Sequence, residues 1–329
     1  MHFKSSLLVL GLLPVLALAS CGKSYAKENV AKPKVLNAIQ APSEEQKALV
    51  DGKEAAEAIA ATRGNDIYSP VSEAMTDFLE AGGEKDLASF KTLTEILNVR
   101  FENFSLKTLG AAAFWGQKLT EEKVNAYNDE SYASVFQGGR KEVDNSLSRF
   151  YGRDIQTEYP ANFLNSVEVS DRLAMPLETK KLPFAGSGSY VYDVKAGLGS
   201  YREEENYTVV SLPIAKTFLR FLLPKEGVAL STINPSAVLD ELPTEGKVEA
   251  TYPEFSVKGY HEKRTTLSMQ YQDCSFRSNR YGIEGKAFTH HGGGAIDPND
   301  TLCIVIDRPF YFASYYQDIP LFLGRIASL

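Results

Sequence analysis

Asp307-Arg308-Pro309-Phe310-Tyr311-Phe312 and, beyond a polar break at Gln317-Asp318, Pro320-Leu321-Phe322-Leu323-Gly324-Arg325-Ile326 close this chain of 329 residues. Two apolar, aromatic runs around a polar pair read as buried antiparallel strands joined by a tight turn. Upstream, Ser189 to Asp193, Tyr207 to Ile214, Phe218 to Leu223, Lys247 to Val257 and Ile304 to Tyr316 have the same β-branched and aromatic texture. Gly, Pro and Asp bound these runs, as they bound strands.

Before residue 185 the periodicity is helical. Ser43-Glu44-Glu45-Gln46 is a capping box that opens a helix. Ser69-Pro70 opens a second, whose face is Val71, Met75, Phe78 and Leu79 and whose end is Gly82-Gly83. Leu87, Phe90, Thr94 and Leu97 mark a third helix, and Val124, Tyr127, Tyr132 and Val135 a fourth between Glu121 and Phe136. Helices come first, strands follow, and no βαβ period recurs. The expected fold is therefore α+β, with N-terminal helices packed on several largely antiparallel β-sheets in a single domain, residues 43–329.

The N-terminus predicts export. His2 and Lys4 precede an apolar stretch from Leu7 to Leu18, too short to span a bilayer, and Leu18-Ala19-Ser20-Cys21 has the form of a bacterial lipobox. Residues 1–21 are expected to be a lipoprotein signal peptide, with Cys21 lipidated. Residues 22–42, rich in Lys, Ala and Pro, are expected to be a tether. That reading puts the protein in a bacterial cell envelope, lipid-anchored on the periplasmic or extracellular face, with the membrane as a partner. An oxidising compartment permits a bridge between Cys274 and Cys303. Two separate buried thiols, suggested by the apolar run Leu302 to Ile306, are the other reading, and the sequence leaves both open.

Chemistry is scarce. The formal charge is −7 and no Lys/Arg block stands out, which speaks against a nucleic-acid partner. His291-Gly292-Gly293-Gly294 has the form of an esterase oxyanion loop, but no Gly-x-Ser-x-Gly elbow exists to supply a nucleophile. His290, His291 and His261 lack partners at metal-ligand spacing, and Gly197-Leu198-Gly199 is not a dinucleotide fingerprint. Neither an enzyme site, a metal site nor a cofactor is expected.

The closing hairpin resembles the C-terminal signature of the serpin (serine protease inhibitor) family, an "RPF" strand returning through "LFLGR". Four other stretches resemble the family in its own order. They are Asn65-Asp66-Ile67-Tyr68-Ser69-Pro70-Val71-Ser72, Ala81-Gly82-Gly83-Glu84, Leu222-Leu223-Pro224-Lys225-Glu226-Gly227 and Tyr252-Pro253-Glu254-Phe255. The chain departs from the family between Leu164 and Lys181, and it is shorter than is usual. The resemblance implies an exposed bait loop that a protease cleaves and that then enters the central sheet as a new strand. On that alignment Lys286-Ala287-Phe288-Thr289 leads into a hinge of Gly292, Gly293, Gly294 and Ala295. Ile296, Asp297, Pro298, Asn299, Asp300 and Thr301 form the candidate bait.

Counted back from Arg308-Pro309, this loop is about eight residues shorter than in inhibitory relatives, roughly 26 Å of reach at ~3.3 Å per residue. Inward-facing Asp297 and the missing amide of Pro298 also oppose insertion. Two functions follow as expectations. One is an inhibitor of serine or cysteine proteases whose shortened reactive loop weakens the case for suicide inhibition. The other is a non-inhibitory serpin-fold binding or scaffold protein.

Overall fold

The computed structural model describes residues 34–35, 41–130, 133–196, 199–240, 247–264, 269–286 and 301–329. Local signals in the first half behave as their chemistry dictates. Helix α1 (Glu44–Lys47) opens on the capping box, Gln46 N–H donating to Ser43 Oγ at 3.3 Å and Ser43 N–H to Gln46 Oε1 at 2.8 Å. Helix α2 (Lys53–Ala61) follows. Strand β2 (Asp66–Tyr68) then enters helix α3 (Pro70–Ala81), capped by Ser69 and ended by left-handed Gly82. Helix α4 (Glu84–Leu97) buries Leu87, Phe90, Thr94 and Leu97, the stripe its spacing predicts.

Among the described residues, eighteen strands form three sheets. The central one runs β1 (Lys34–Val35), β3 (Val99–Phe101), β4 (Phe104–Trp115), β6 (Ala161–Arg172), β15 (Gly282–Lys286), β14 (Met269–Asn279) and β13 (Phe255–Arg264), with β5 (Ser134–Gly138) also on β4. The second runs β2, β18 (Ile319–Ile326), β17 (Phe310–Tyr316), β11 (Phe218–Pro224), β10 (Tyr207–Pro213) and β9 (Ser200–Glu203), antiparallel throughout. The third runs β16 (Thr301–Val305), β12 (Lys247–Pro253), β8 (Ser187–Ala196) and β7 (Glu178–Phe184). Among the described residues only β1–β3, β4–β5 and β12–β16 pair in parallel.

One main core, reaching from Val50 to Ile326, joins α3 and α4 to all three sheets, with smaller clusters under α2 and α6, so the architecture is the expected α+β single domain. Every residue of β17 and β18 is buried. Their turn, Gln317-Asp318, takes φ of +52° and +63°, the left-handed pair that matches strand twist in a two-residue hairpin.

Four expectations need correction. The helix expected over Glu121–Phe136 stops as α5 (Glu121–Asn125). A π-turn follows, and Val135 lies in β5, where its backbone pairs with Ala112 of β4. Tertiary pairing overrides a helical period there. Helix α6 (Arg140–Tyr151) has no counterpart in the sequence reading, because it buries only Val143 and Leu147. The run Lys247 to Val257 is two strands of different sheets, and so is Ile304 to Tyr316. Finally, Cys274 is buried and Cys303 is exposed, both as free thiols. Cys303 escapes burial because β16 is an edge strand with a single neighbour, β12. Within the stretch read as a tether, Lys34 and Val35 pair with Val99 and Arg100.

Candidate functional site

Among the described residues, the central sheet is filled only in part along one line, between β6 and β14. The chain leaves β14 at Asn279, reverses through Arg280-Tyr281 and returns as β15, antiparallel to both neighbours. Gly282 stands opposite Arg172 and Asn279, and Lys286 opposite Glu168 and Ser275. The line is open beyond Lys286 among the described residues. Among the described residues, β6 from Ala161 to Val167 pairs only with β4, and β14 from Met269 to Cys274 only with β13. A cavity of about 460 Å³ follows this line, with Asn162, Asn165 and Glu168 on one bank and Gln270, Gln272 and Lys286 on the other. Unpaired strand edges are templates for another strand.

Two glycines admit β15. Gly282 has φ +125°, and a Cβ there would stand 2.1 Å from the Asp171 carbonyl oxygen. At Gly285 a Cβ would meet the rings of Phe322 at 2.7 Å and Phe276 at 3.0 Å. Between them Ile283 is wholly buried. On the outer face Arg172 Nη2 donates to Glu284 Oε1 at 2.6 Å, and Lys286 Nζ lies 4.0 Å from Glu168. Both pairs are exposed, so they add little to stability and mainly set register.

Polar groups fasten the banks of the slot to other elements, not to each other. Asp171 Oδ2 accepts the backbone N–H groups of Ala215, Lys216 and Thr217 at 3.1, 2.9 and 2.8 Å, tying β6 to the β10–β11 turn. Burial pushes this carboxyl's pKa up, and the hydrogen bonds pull it back. Lower down, Ser69 N–H donates to Gln272 Oε1 at 2.6 Å, and Gln272 Nε2 to the Ser69 carbonyl at 2.9 Å. Asn165 Nδ2 donates to Ser72 Oγ at 3.3 Å. Both strands are thus moored on the N-terminus of α3. Asn165 Oδ1 is buried and bonded to nothing among the described residues, a spare acceptor beside the slot. Burial also pushes the Cys274 thiol up, so it stays protonated and inert.

No family model matches the chain, and no curated protein matches it in sequence. Solved structures do match. Tengpin, a thermophilic serpin in its native state, superposes with a TM-score of 0.67 at 14% identity, covering 93% of this chain and 100% of that one. The chain has the serpin fold. A cleaved, loop-inserted ovalbumin mutant matches with TM-score 0.62 at 13% identity over 86% and 98% of the two chains. Human thyroxine-binding globulin, complexed with thyroxine, matches with 0.62 at 16% identity over 85% and 97%.

Within the serpin fold, the residues singled out from sequence divide into three groups. Gly292, Gly293, Gly294, Ala295 and the bait from Ile296 to Asp300 lie outside the described residues, as do Cys21 and Ala287 to Thr289. Thr301 is the first residue of β16, opposite Lys247. Lys286 ends β15, inside the central sheet. His261 Nε2 sits 3.1 Å from the Ile67 carbonyl and 3.1 Å from Asp66 Oδ1. Among the described residues no cluster of His, Cys, Asp or Glu could hold a metal. The sequence reading missed Gly282, Gly285, Asn165 and Gln272. The Gly-x-x-Gly spacing was visible, but nothing in it says which strands close around it.

Proposed function

We propose that this serpin-fold chain is an inhibitor of serine or cysteine proteases that works by strand insertion, with its bait between β15 and β16. The observation that supports this is β15 itself, which already lies in the seam with an open line beyond it. Entry at Gly282 changes the reckoning of loop length. Counted from Gly292 the segment is short; counted from Gly282 it gains residues 282–291.

Continued in the same register, residues 287–293 would run alongside β6 from Val167 back to Ala161. Ala287, Thr289, His291 and Gly293 would share the inward parity of Ile283 and Gly285. Asp297 and Pro298 would fall beyond the end of β6 and need not enter the sheet, which removes the main physical objection to insertion. The hinge is then Arg280 to Gly282, and the glycines from Gly292 to Gly294 belong to the travelling strand.

The test is incubation of residues 22–329 with trypsin-, chymotrypsin- and papain-like proteases. A complex that survives denaturing electrophoresis, together with a large rise in melting temperature of the cleaved chain, is the expected result. Cleavage with neither change would overturn the proposal in favour of a non-inhibitory binding protein. The proposal keeps the lipid anchor at Cys21, which would hold the bait at a bacterial envelope surface. Labelled palmitate should enter the wild-type protein and not Cys21→Ser, which should leave the membrane fraction.

A further inference from the structure

Asp193 is the least explained side chain in the molecule. It sits mid-strand in β8, fully buried, and neither carboxylate oxygen has a hydrogen-bond partner. The guanidinium of Arg280 is in the complementary condition. It stands 5.4 Å over the Tyr281 ring, its Nε is buried and unbonded, and among the described residues it makes no ion pair.

The two belong to one neighbourhood. The Arg280 carbonyl accepts the Leu177 N–H at 2.9 Å, and Leu177 leads directly into β7, whose Thr179 pairs with Asp193. On the other side Asp193 pairs with Tyr252, and Glu254 N–H donates to the Val191 carbonyl of β8 at 2.9 Å. Three groups therefore bear on Asp193: Glu254 repels it, Arg280 attracts it, and the Tyr252 hydroxyl feels its charge. Burial first, and Glu254 second, hold the Asp193 pKa up at about 7 against the pull of Arg280.

A buried carboxylate left in the field of a half-exposed guanidinium without contact is a costly arrangement unless something prevents their meeting. Here the obstacle is the turn. Leu177 N–H to the Arg280 carbonyl and Leu173 N–H to the Tyr281 carbonyl, both 2.9 Å, pin the two residues through which the chain enters the seam. While β15 is in the sheet, the Arg280 backbone is fixed and its side chain stops short.

We propose that Asp193 and Arg280 form a two-position latch, apart while β15 lies between β6 and β14, and joined in an ion pair when the chain at 280–286 withdraws. Charge on Asp193 then favours release of β15, and neutral Asp193 favours insertion. This rests on reading β15 as a strand able to leave the sheet, and it makes mild acidity a signal that drives the loop inward.

Hydrogen exchange of the peptide covering 282–286 tests the latch, measured at pH 6 and pH 8 and corrected for intrinsic rates. In the wild type, protection at pH 8 should fall roughly three- to tenfold below that at pH 6, as expected for one ionisation near pH 7 coupled to opening. Asp193→Asn should hold the pH 6 protection at both pH values. Arg280→Gln, at a half-exposed turn position, should also abolish the pH response. A wild type with equal protection at the two pH values, or an Arg280→Gln variant that keeps the response, overturns the latch. The rise in melting temperature of cleaved wild type is a separate readout, so failure of loop insertion and failure of the latch are told apart.

Discussion

The C-terminal hairpin and the β15 seam lie face to face in the same core and are built on opposite principles. In β17–β18 every side chain is buried, the ladder runs the length of both strands with one bulge at Ser314/Tyr315, and Phe312 and Phe322 pack on Phe276 at ring-centroid distances of 5.1 and 5.2 Å. In the seam, among the described residues, the pairing stops at Lys286, and polar atoms of Asn165, Asp171 and Arg280 are buried without partners. One region spends all its bonding capacity on a single arrangement. The other holds capacity in reserve, which is what a sheet that is to accept another strand requires.

The comparison breaks most visibly at Phe322. Phe322→Ala should cost about 3–5 kcal/mol in urea unfolding, because the cavity lies in a region that cannot relax. A cost under about 1 kcal/mol would mean that the hairpin is not the fixed half. Gly282→Ala should cost about 1–3 kcal/mol, the strain of a Cβ at that φ and against the Asp171 carbonyl. Here the loss should be local: amide exchange at Ile283 to Lys286 accelerates while exchange in the hairpin is unchanged.

A smaller effect comes from pH, through the same first turn of α3 that moors the slot. On α3, burial and then repulsion by Glu54 and Asp77 raise Glu73 to about 8, against the hydrogen bond from Tyr68 Oη at 2.7 Å. Burial likewise raises Asp77 to about 6. Folded pKa values above the unfolded ones mean the native state binds the extra protons. Their stabilisation is full below about pH 4 and is lost as pH rises through 6 and then 8. The melting temperature should therefore decline over that window, by the equivalent of roughly 1–2 kcal/mol, and Glu73→Gln should flatten most of the decline. The least expected cost is for Ser72→Ala, about 0.5–1 kcal/mol for one long hydrogen bond to Asn165. Its value lies in the seam: Ser72→Ala should loosen exchange in β6 at Asn165 and leave β17 alone.

Local chemistry carried far in this protein. The caps at Ser43 and Ser69, the stop at Gly82, the stripe of α4 and the closing hairpin each depend on neighbours within a few residues, and each stands where the sequence puts it. Helix α6 and strand β5 were not legible, because the first is mostly polar and the second has a helical spacing of apolar residues. The seam was illegible for a different reason. Gly282-Ile283-Glu284-Gly285-Lys286 reads as a loop-like stretch, and only β6, from more than a hundred residues upstream, makes it a central strand.

The linear chain thus determined the class of fold, its helical first half and its buried last hairpin, since propensity, capping and apolar patterning act over short spans. Tertiary structure alone decided where the chain enters the central sheet, how much of that line stays open, and which charges are left facing one another. Those are outcomes of strand pairing and burial, and residues distant in sequence set them jointly.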